Sequence, residues 1–419
     1  MTGAGGTATT DRILGEVDEA RLVETACSLV DIPSPTGSEQ AMAERMRAIL
    51  SDMGLDVQWQ EVEDGRPNVL GTLDGRGGGK TLMLNGHMDT SYSGDEPWLK
   101  GPIGFQPSAV VRDGRIYGLG ISNMKGALAC YLEAVRALGD AGVRLLGDVM
   151  IAGVVGEIEK TQWGEEFRGK EYRGYAAGSR HLTTHGGAAD MCILGEPTEQ
   201  RIILGHYGTM WCRVSTHGPF VHTAFSGGRL AENAIVRLGQ VTEAVLDWIP
   251  SWEKLAGYRG RPGVVNVGAV RGGYPWRVSR TPHRADLFLD VRVPPTMPMA
   301  DARRAFRDFG HELAERFPDH GVETEVYVTA PGSEIDEGHP LVQAIADSHQ
   351  AVFGQPPERD TALWFSDGSS LARYGIHTVN YGTASGLPGP DGESLDVEGL
   401  VRIAGVYALT AARVCEVAP

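Results

Sequence analysis

The sequence predicts an α/β protein built as two domains, on three observations. Short apolar runs bounded by glycine alternate with longer segments of helical periodicity. Three of those runs, at residues 81–84, 147–155 and 191–194, lead directly into His or carboxylate residues. Open α/β sheets place their chemistry just past the carboxyl ends of buried strands. The chain also has 419 residues, more than one ordinary hydrophobic core accommodates.

Composition narrows the class. A hydrophobic share of 42% and a charged share of 22% are those of a soluble globular protein. A net charge of −16 argues against a nucleic-acid-binding surface. The five cysteines (Cys27, Cys130, Cys192, Cys212, Cys415) are odd in number and widely spaced. That is cytosolic usage, with no disulfide framework and no cysteine-based metal site. No apolar stretch approaches the roughly 20 residues that span a bilayer, so no membrane association and a cytoplasmic location are expected. The opening MTGAGGTATT has neither a basic start nor an apolar core. It reads as a disordered tail over 1–10 rather than a signal peptide.

Helical periodicity covers 18–28 and 38–53 (Leu22, Ala26, Leu29; Met42, Met46, Ile49). Between them, Ile32-Pro33-Ser34-Pro35-Thr36-Gly37 breaks the helix and Ser38 is a candidate cap. Strands are expected at 57–61 and 68–73, then a glycine-rich turn and the run Leu82-Met83-Leu84, which ends in Asn85-Gly86 and delivers His87 and Asp89. Residues two apart on an extended backbone share a side. A neutral imidazole binds metal, and a carboxylate on its other nitrogen fixes the tautomer. Alone, this H-x-D is a polar strand end before a turn.

A hairpin follows around Asp113-Gly114-Arg115, and then Tyr117-Gly118-Leu119-Gly120-Ile121-Ser122-Asn123-Met124-Lys125-Gly126 feeds a helix over 127–138. That loop lacks Walker spacing. The strand at 147–155 ends in Gly156-Glu157-Ile158-Glu159-Lys160, and the strand at 191–194 ends in Gly195-Glu196-Pro197-Thr198. Residues 162–187, polar and aperiodic with His181 and His185, read as a loop or lid. Each carboxylate by itself is ordinary surface; His87/Asp89, Glu157 and Glu196 together, at three strand ends, point to a site. Further along, 211–215, 264–270 and 285–293 read as strands, and 229–248 and 299–317 as helices.

The motifs GHMD, GISNMKG, GEIE and LGEPT, in this order, resemble the metal-dependent amidohydrolase family of acetylornithine deacetylase, succinyl-diaminopimelate desuccinylase, aminoacylase-1 and glutamate carboxypeptidase. Gly218-Pro219-Phe220-Val221-His222 with Glu232-Asn233-Ala234-Ile235, Asn266-Val267-Gly268, Gly272-Gly273, Asp290-Val291-Arg292 and Asp367 extend the match over nearly the whole chain. The resemblance implies a mixed-sheet, zinc-peptidase-like catalytic domain interrupted by a smaller α+β dimerisation (lid) domain. The expected limits are 11–205 and 329–419 for the first and 206–328 for the second, with a homodimer as the assembly.

The resemblance also implies two zinc ions about 3.5 Å apart. His87 and Glu196 fall on ligands of the first, and Glu157 falls on the general base. At the position of the bridging carboxylate stands Asn123, at the second metal's Glu stands Ile158, and after Tyr381-Gly382-Thr383 no histidine follows. A neutral amide cannot neutralise two dications, so a reduced site with one divalent ion, zinc first among the candidates, is expected. Glu159, Asp391 or Glu393 are the rescue ligands to look for. His222 falls on the histidine that reaches from the partner's small domain to polarise the scissile carbonyl, a role supplying on the order of 3 kcal/mol. Arg277, close to a substrate-contacting Asn of the family, and Asn266 are the substrate-binding candidates, with Arg280 and Arg292 as further carboxylate partners. The expected activity is hydrolysis of a small N-acyl amino acid or related amide, with Glu157 activating water and Asp89 orienting His87. The alternatives are metal-independent acyl transfer, cyclisation or isomerisation on the same fold, or a non-catalytic relative that binds a small carboxylate.

Overall fold

The computed structural model describes residues 4–161, 174–384 and 389–418. In chain order the elements begin with α1 (Ala4–Gly15), α2 (Glu19–Val30), α3 (Gln40–Asp52), β1 (Asp56–Glu63), β2 (Arg66–Leu73), β3 (Leu82–His87), β4 (Val110–Arg112) and β5 (Arg115–Tyr117). There follow α4 (Gly126–Asp140), β6 (Val149–Val154), α5 (Ala177–Thr184), β7 (Met191–Leu194), β8 (Ile202–His206), β9 (Gly208–His217), α6 (Ala234–Leu255), β10 (Val265–Gly272) and β11 (Arg284–Val293). The chain ends through α7 (Met299–Arg316), β12 (Glu323–Ala330), β13 (Ser333–Glu334), α8 (Pro340–Phe353), β14 (Arg359–Ala362), α9 (Gly368–Arg373), β15 (His377–Asn380), β16 (Ser394–Asp396) and α10 (Val397–Val414).

The chain divides into two units, Met1–Leu204 with Ile335–Asp360 and Ser366–Pro419, and Gly205–Glu334 with Thr361–Phe365. The sequence expectation puts the insertion at 206–328; the second unit continues through β13 and takes in Thr361–Phe365, which starts within β14.

In the first unit the sheet runs β1-β2-β6-β3-β7-β15-β8. Its centre is parallel, β6, β3, β7 and β15 lying side by side, while β1, β2 and β8 are antiparallel. The central strands are uninterrupted apolar runs because both faces are covered. Alternation assigns Leu82, Leu84, Val149, Ile151, Met191 and Ile193 to one core, which they share with α2, α3, α4, α8 and α10. Met83, Met150, Ala152, Val154, Cys192 and Leu194 face the other, against Leu182 of α5 and Leu371 of α9. α4 is buried nearly all round, the signature of a helix inside a core rather than on it. The fold is the mixed α/β class expected.

The second unit is α+β. Its antiparallel sheet, order β10-β11-β9-β12, buries Met210, Cys212, Val214, Leu287, Leu289 and Val291 under α6 and α7. Trp248 of α6 stacks on Phe309 of α7 at 4.5 Å. β10 is the edge strand, and all its residues after Val265 are exposed.

Local expectations were corrected in several places. The tail expected over 1–10 is helical from Ala4, and α1 buries Ile13. Ser38 does not cap the second helix: α3 starts at Gln40 without a side-chain cap. Instead, buried Glu39 grips the Arg66 guanidinium of β2 at 2.6 and 2.9 Å. The helix expected over 229–248 begins at Ala234, where the Asn233 side chain accepts from Ile235 N, and runs on to Leu255. Part of the expected loop over 162–187 is α5; residues 162–173 lie outside the described residues. Among the described residues, no helix is long and apolar enough to cross a membrane.

Removing one partner of a buried ion pair costs roughly 3–5 kcal/mol. Arg66 keeps Glu63 at 2.5 Å, so Glu39→Ala should fall near the lower end, about 3 kcal/mol in chemical denaturation. Glu39→Ala with Arg66→Met should recover most of that loss.

Candidate active site

Parallel strands of equal register end together, and the site is built on that edge. His87 is the last residue of β3 and lies opposite Val154 of β6. Glu157 stands three residues beyond β6 and Glu196 two beyond β7. His87, Asp89, Glu157 and Glu196 are all buried. One ligand atom from each of His87, Glu157 and Glu196 lies within 4.8 Å of the others, and among the described residues these three make the candidate metal group. The sequence reading made Glu157 a base only; its carboxylate is 3.9 Å from His87 Nε2, placed for either role.

The imidazole is held from behind. His87 Nδ1 is 2.8 Å from the Asp89 backbone carbonyl and 3.5 Å from the Asp89 carboxylate. A carbonyl only accepts, so Nδ1 carries a proton, and Nε2 is the nitrogen left to face the site. The expected orienting role of Asp89 is therefore shared between its backbone and its side chain. The carboxylate has further duties, accepting from Glu157 N (3.1 Å), Ile158 N (3.3 Å) and the Thr36 hydroxyl (2.9 Å). The Ser34–Thr36 loop is itself laced to 88–90: Ser34 Oγ donates to Met88 O, Thr90 N to Ser34 O, and Thr36 N to Thr90 O.

Asn123 comes from the loop before α4, and its Oδ1 accepts from His87 Nε2 at 2.8 Å, so without a metal both ring nitrogens carry protons, and a metal ion would take the place of the proton on Nε2. The loop is fixed by Glu393, whose Oε2 accepts from Gly120 N, Ser122 N and Ser122 Oγ at 3.0, 3.3 and 2.7 Å. Those bonds give Glu393 a scaffold role, and it is not in the metal group. Asp391 is exposed and pairs with Arg112 at 3.2 Å; Glu159 is likewise outside the group. The rescue ligands are thus not assembled, while the stretch after Ala384 lies outside the described residues.

Electrostatics sharpen the picture. Burial disfavours charge on His87, yet its hydrogen bond to Asp89 and the charges of Glu157, Glu196 and Asp89 prevail and raise its pKa well above the ordinary value. Burial, reinforced by Glu196, raises Glu157 well above the usual carboxylate range. Burial also raises Glu196, and pushes Asp367 up to about 7. Asp89 is held low despite burial by His87 and its amide donors. Glu196 Oε1 is buried with no hydrogen-bond partner. Buried acids in excess of cations, an orphaned carboxylate oxygen and an imidazole nitrogen facing them are the donor set a divalent ion requires. The residues fit one such ion.

Two further buried groups were given no role by the sequence, although Asp367 was part of the resemblance. Lys125 donates through Nζ to Ile32 O at 2.6 Å, and burial lowers its pKa to about 7. Asp367 accepts from Ser179 Oγ at 2.8 Å, and Ser179 meets Asn85 at 3.3 Å. Their signals, a lysine in the glycine loop and an Asn inside an apolar strand, were present but read as turn and strand.

The remaining candidates belong to the second unit. His222 is half-buried, its Nδ1 accepting from Ala224 N at 3.1 Å. Arg277 and Asn266 are exposed, the latter on β10. Arg292 is paired with Asp290 at 2.7 Å.

A buried His/Glu/Glu group on the edge of a mixed α/β sheet defines a metallohydrolase-type site. Residues 83–413 match the model of peptidase family M20/M25/M40, and the chain belongs to that family. It is 25% identical over 404 residues to N-formyl-4-amino-5-aminomethyl-2-methylpyrimidine deformylase of Bacillus subtilis (strain 168), covering 88% of each chain. It is 28% identical over 407 residues to succinyl-diaminopimelate desuccinylase of Gluconacetobacter diazotrophicus, covering 91% of this chain and 94% of that one. Among solved structures, human carnosine dipeptidase 1 has the same fold, with TM-score 0.73 at 15% identity over 99% of this chain and all of that one. The chain is thus a metallopeptidase-like amidohydrolase, a hydrolase of carbon–nitrogen bonds other than peptide bonds, in a family whose members depend on divalent metals.

The raised groups fix a pH dependence. His87, Glu157, Glu196 and Asp367 bind protons more tightly folded than unfolded, so metal-free stability falls as pH rises. The fall spans the ordinary carboxyl range, about 4, through the Asp367 value of about 7 and beyond it for His87. The melting temperature of metal-free protein should drop across this window. Zinc at a hundredfold excess over its dissociation constant should restore about 2.7 kcal/mol. A melting temperature that climbs with pH over the same range would contradict the assignment.

Proposed function

We propose that the chain hydrolyses a small N-acyl amino acid or related amide, with a single divalent ion, zinc first, held by His87 and Glu196 and with Glu157 beside them. The observation carrying this reading is Glu157 itself: a buried carboxylate whose pKa is raised well above the ordinary value, 3.9 Å from the imidazole that would hold the ion. The ion supplies Lewis acidity and lowers the pKa of bound water. Glu157 takes the proton from water and returns it to the leaving amine. Asp89 and Thr36 keep His87 Nε2 directed at the site. Asn123 contributes a neutral oxygen where the family pattern has a charged bridge, which is why one ion is proposed and not two. His222 donates to the developing oxyanion, carried over from the family pattern, where the donor comes from the partner in a homodimer. The exposed edge strand β10 offers unpaired backbone groups for such an assembly. The relatives named for removing formyl and succinyl groups from nitrogen support a small acyl group.

Glu157→Gln should lower kcat by about 10²–10⁴, and elemental analysis of the same variant separates its roles. Metal retained with activity lost marks a base; metal lost marks a ligand. His222→Ala should cost about 10²–10³ in kcat with metal content unchanged. Exhaustive chelation should abolish turnover, and full activity afterwards would favour metal-independent acyl chemistry instead.

A further inference from the structure

The second unit carries a cleft of about 400 Å³ where the first half of α7 faces β12, lined in part by Arg303, Arg304, Arg307, Phe306, Glu325 and Val326. That volume falls within the roughly 300–1,000 Å³ of small-molecule sites. None of the residues given a role above lines it. The helix lies close against the strand because residue 310 is glycine: a Cβ there would come within 2.3 Å of Thr324 Oγ1. Phe306 is buried and meets Trp248 edge-on at 6.1 Å, so the floor of the cleft is held by the core of the unit.

The wall reverses the sign of the chain. The protein has 54 acidic residues to 38 basic ones, yet the cleft presents three arginines and one carboxylate. That carboxylate is already neutralised, since Glu325 pairs with Arg213 of β9 at 2.5 Å. Arg303 makes no ion pair or hydrogen bond among the described residues. Arg304 pairs with Asp301, and Arg307 with Asp308 at 3.3 Å, both on the exposed side of α7. Exposed pairs of this kind hold a side chain weakly, and each leaves most of the guanidinium's five donors available.

The spacing adds a second argument. Arg303 and Arg307 stand four residues apart on α7, neighbours on one helical face, where like charges repel. The helix gains nothing from that arrangement by itself. An anion lying between the two side chains relieves the repulsion and meets two forks whose geometry matches phosphate oxygens. The Cβ atoms of such a pair are about 5–6 Å apart, a separation that linked phosphoryl groups span better than a single one. Arg304 supplies a third fork, and Phe306 and Val326 offer an apolar floor to the rest of the molecule.

We propose that this cleft binds a small phosphate compound with two or more adjacent phosphoryl groups, inorganic pyrophosphate or a nucleoside diphosphate being the two sources of that chemistry. The site lies within the second unit and is independent of the hydrolytic reading above.

Calorimetric titration of the full-length protein at about 0.15 M salt tests it with inorganic phosphate, pyrophosphate, ADP and citrate. Pyrophosphate should bind at least about tenfold more tightly than phosphate. ADP tighter than pyrophosphate identifies the nucleotide as the source, and the reverse order identifies pyrophosphate. Arg303→Gln with Arg307→Gln should weaken the preferred ligand at least about tenfold, and Arg303→Lys with Arg307→Lys, which keeps charge without the forks, should fall between. Both side chains are exposed, so the variants keep the fold. Chelation of an active-site ion by these probes is common to wild type and variants, so the difference between them reports the cleft alone. Arg316→Gln, at the far end of α7, should change nothing. Equal binding by the double Gln variant and the wild type overturns the proposal, as does an equal loss in Arg316→Gln, which marks diffuse surface charge. Citrate binding as tightly as pyrophosphate, or no saturable binding of either phosphate probe, also overturns it.

Discussion

Four carboxyl groups, those of Asp89, Glu157, Glu196 and Asp367, lie buried around a single imidazole at the edge of the central parallel strands. Transfer of even one ionised carboxylate into a low-dielectric interior is expensive unless it is paired or neutralised. The structure answers for two of them by hydrogen bonding: Asp89 takes two amides and a hydroxyl, and Asp367 takes Ser179. Glu157 and Glu196 have no such provision, and Glu196 keeps an orphaned oxygen. Their charge has to be met by protons or by a cation. That constraint explains why burial raises the very groups the chemistry would use, and why metal binding and proton release are one equilibrium here.

The surrounding architecture serves that edge. Both faces of β3, β6 and β7 are sealed by helices, so the strands cannot slip or bend without exposing core. The Glu39–Arg66 pair ties the segment before α3 to β2, and with it the loop whose Thr36 braces Asp89. From the other direction, Glu393 draws the Asn123 loop into place across a separation of some 270 residues. Each first contact at the site thus has a second contact behind it, which is how a centre keeps its geometry when its own groups repel.

Much of this was legible in the sequence, and the reason is periodicity. The strand runs at 82–84, 149–154 and 191–194 are apolar on consecutive positions, and a run buried on both faces cannot be disguised by its neighbours. The short-range motifs there placed His87, Asp89, Glu157 and Glu196 correctly at strand ends. What failed depended on partners far along the chain. Ser38 looked like a helix cap, yet Glu39 found Arg66 on another strand. The first ten residues lacked any apolar pattern, yet α1 is held by Ile13 just beyond them. Glu393 resembled a spare ligand in composition, but the amides of Gly120 and Ser122 claimed it. Local sequence carries propensity and spacing; it does not carry which distant donor reaches a carboxylate first.

The same distinction bears on how a reduced metal site can remain useful. A charged bridge between two ions fixes both substrate carbonyl and water; with Asn123 in its place, the single ion proposed would organise less. Selectivity would then come from elsewhere, and binding energy from a remote group aids catalysis when it is spent on positioning the reacting carbonyl. In the second unit, a backbone bridge opposes His222 and Arg280. With a neutral amide at the position of the charged bridge, the proposed single ion would leave more of the positioning of the substrate carbonyl to protein groups.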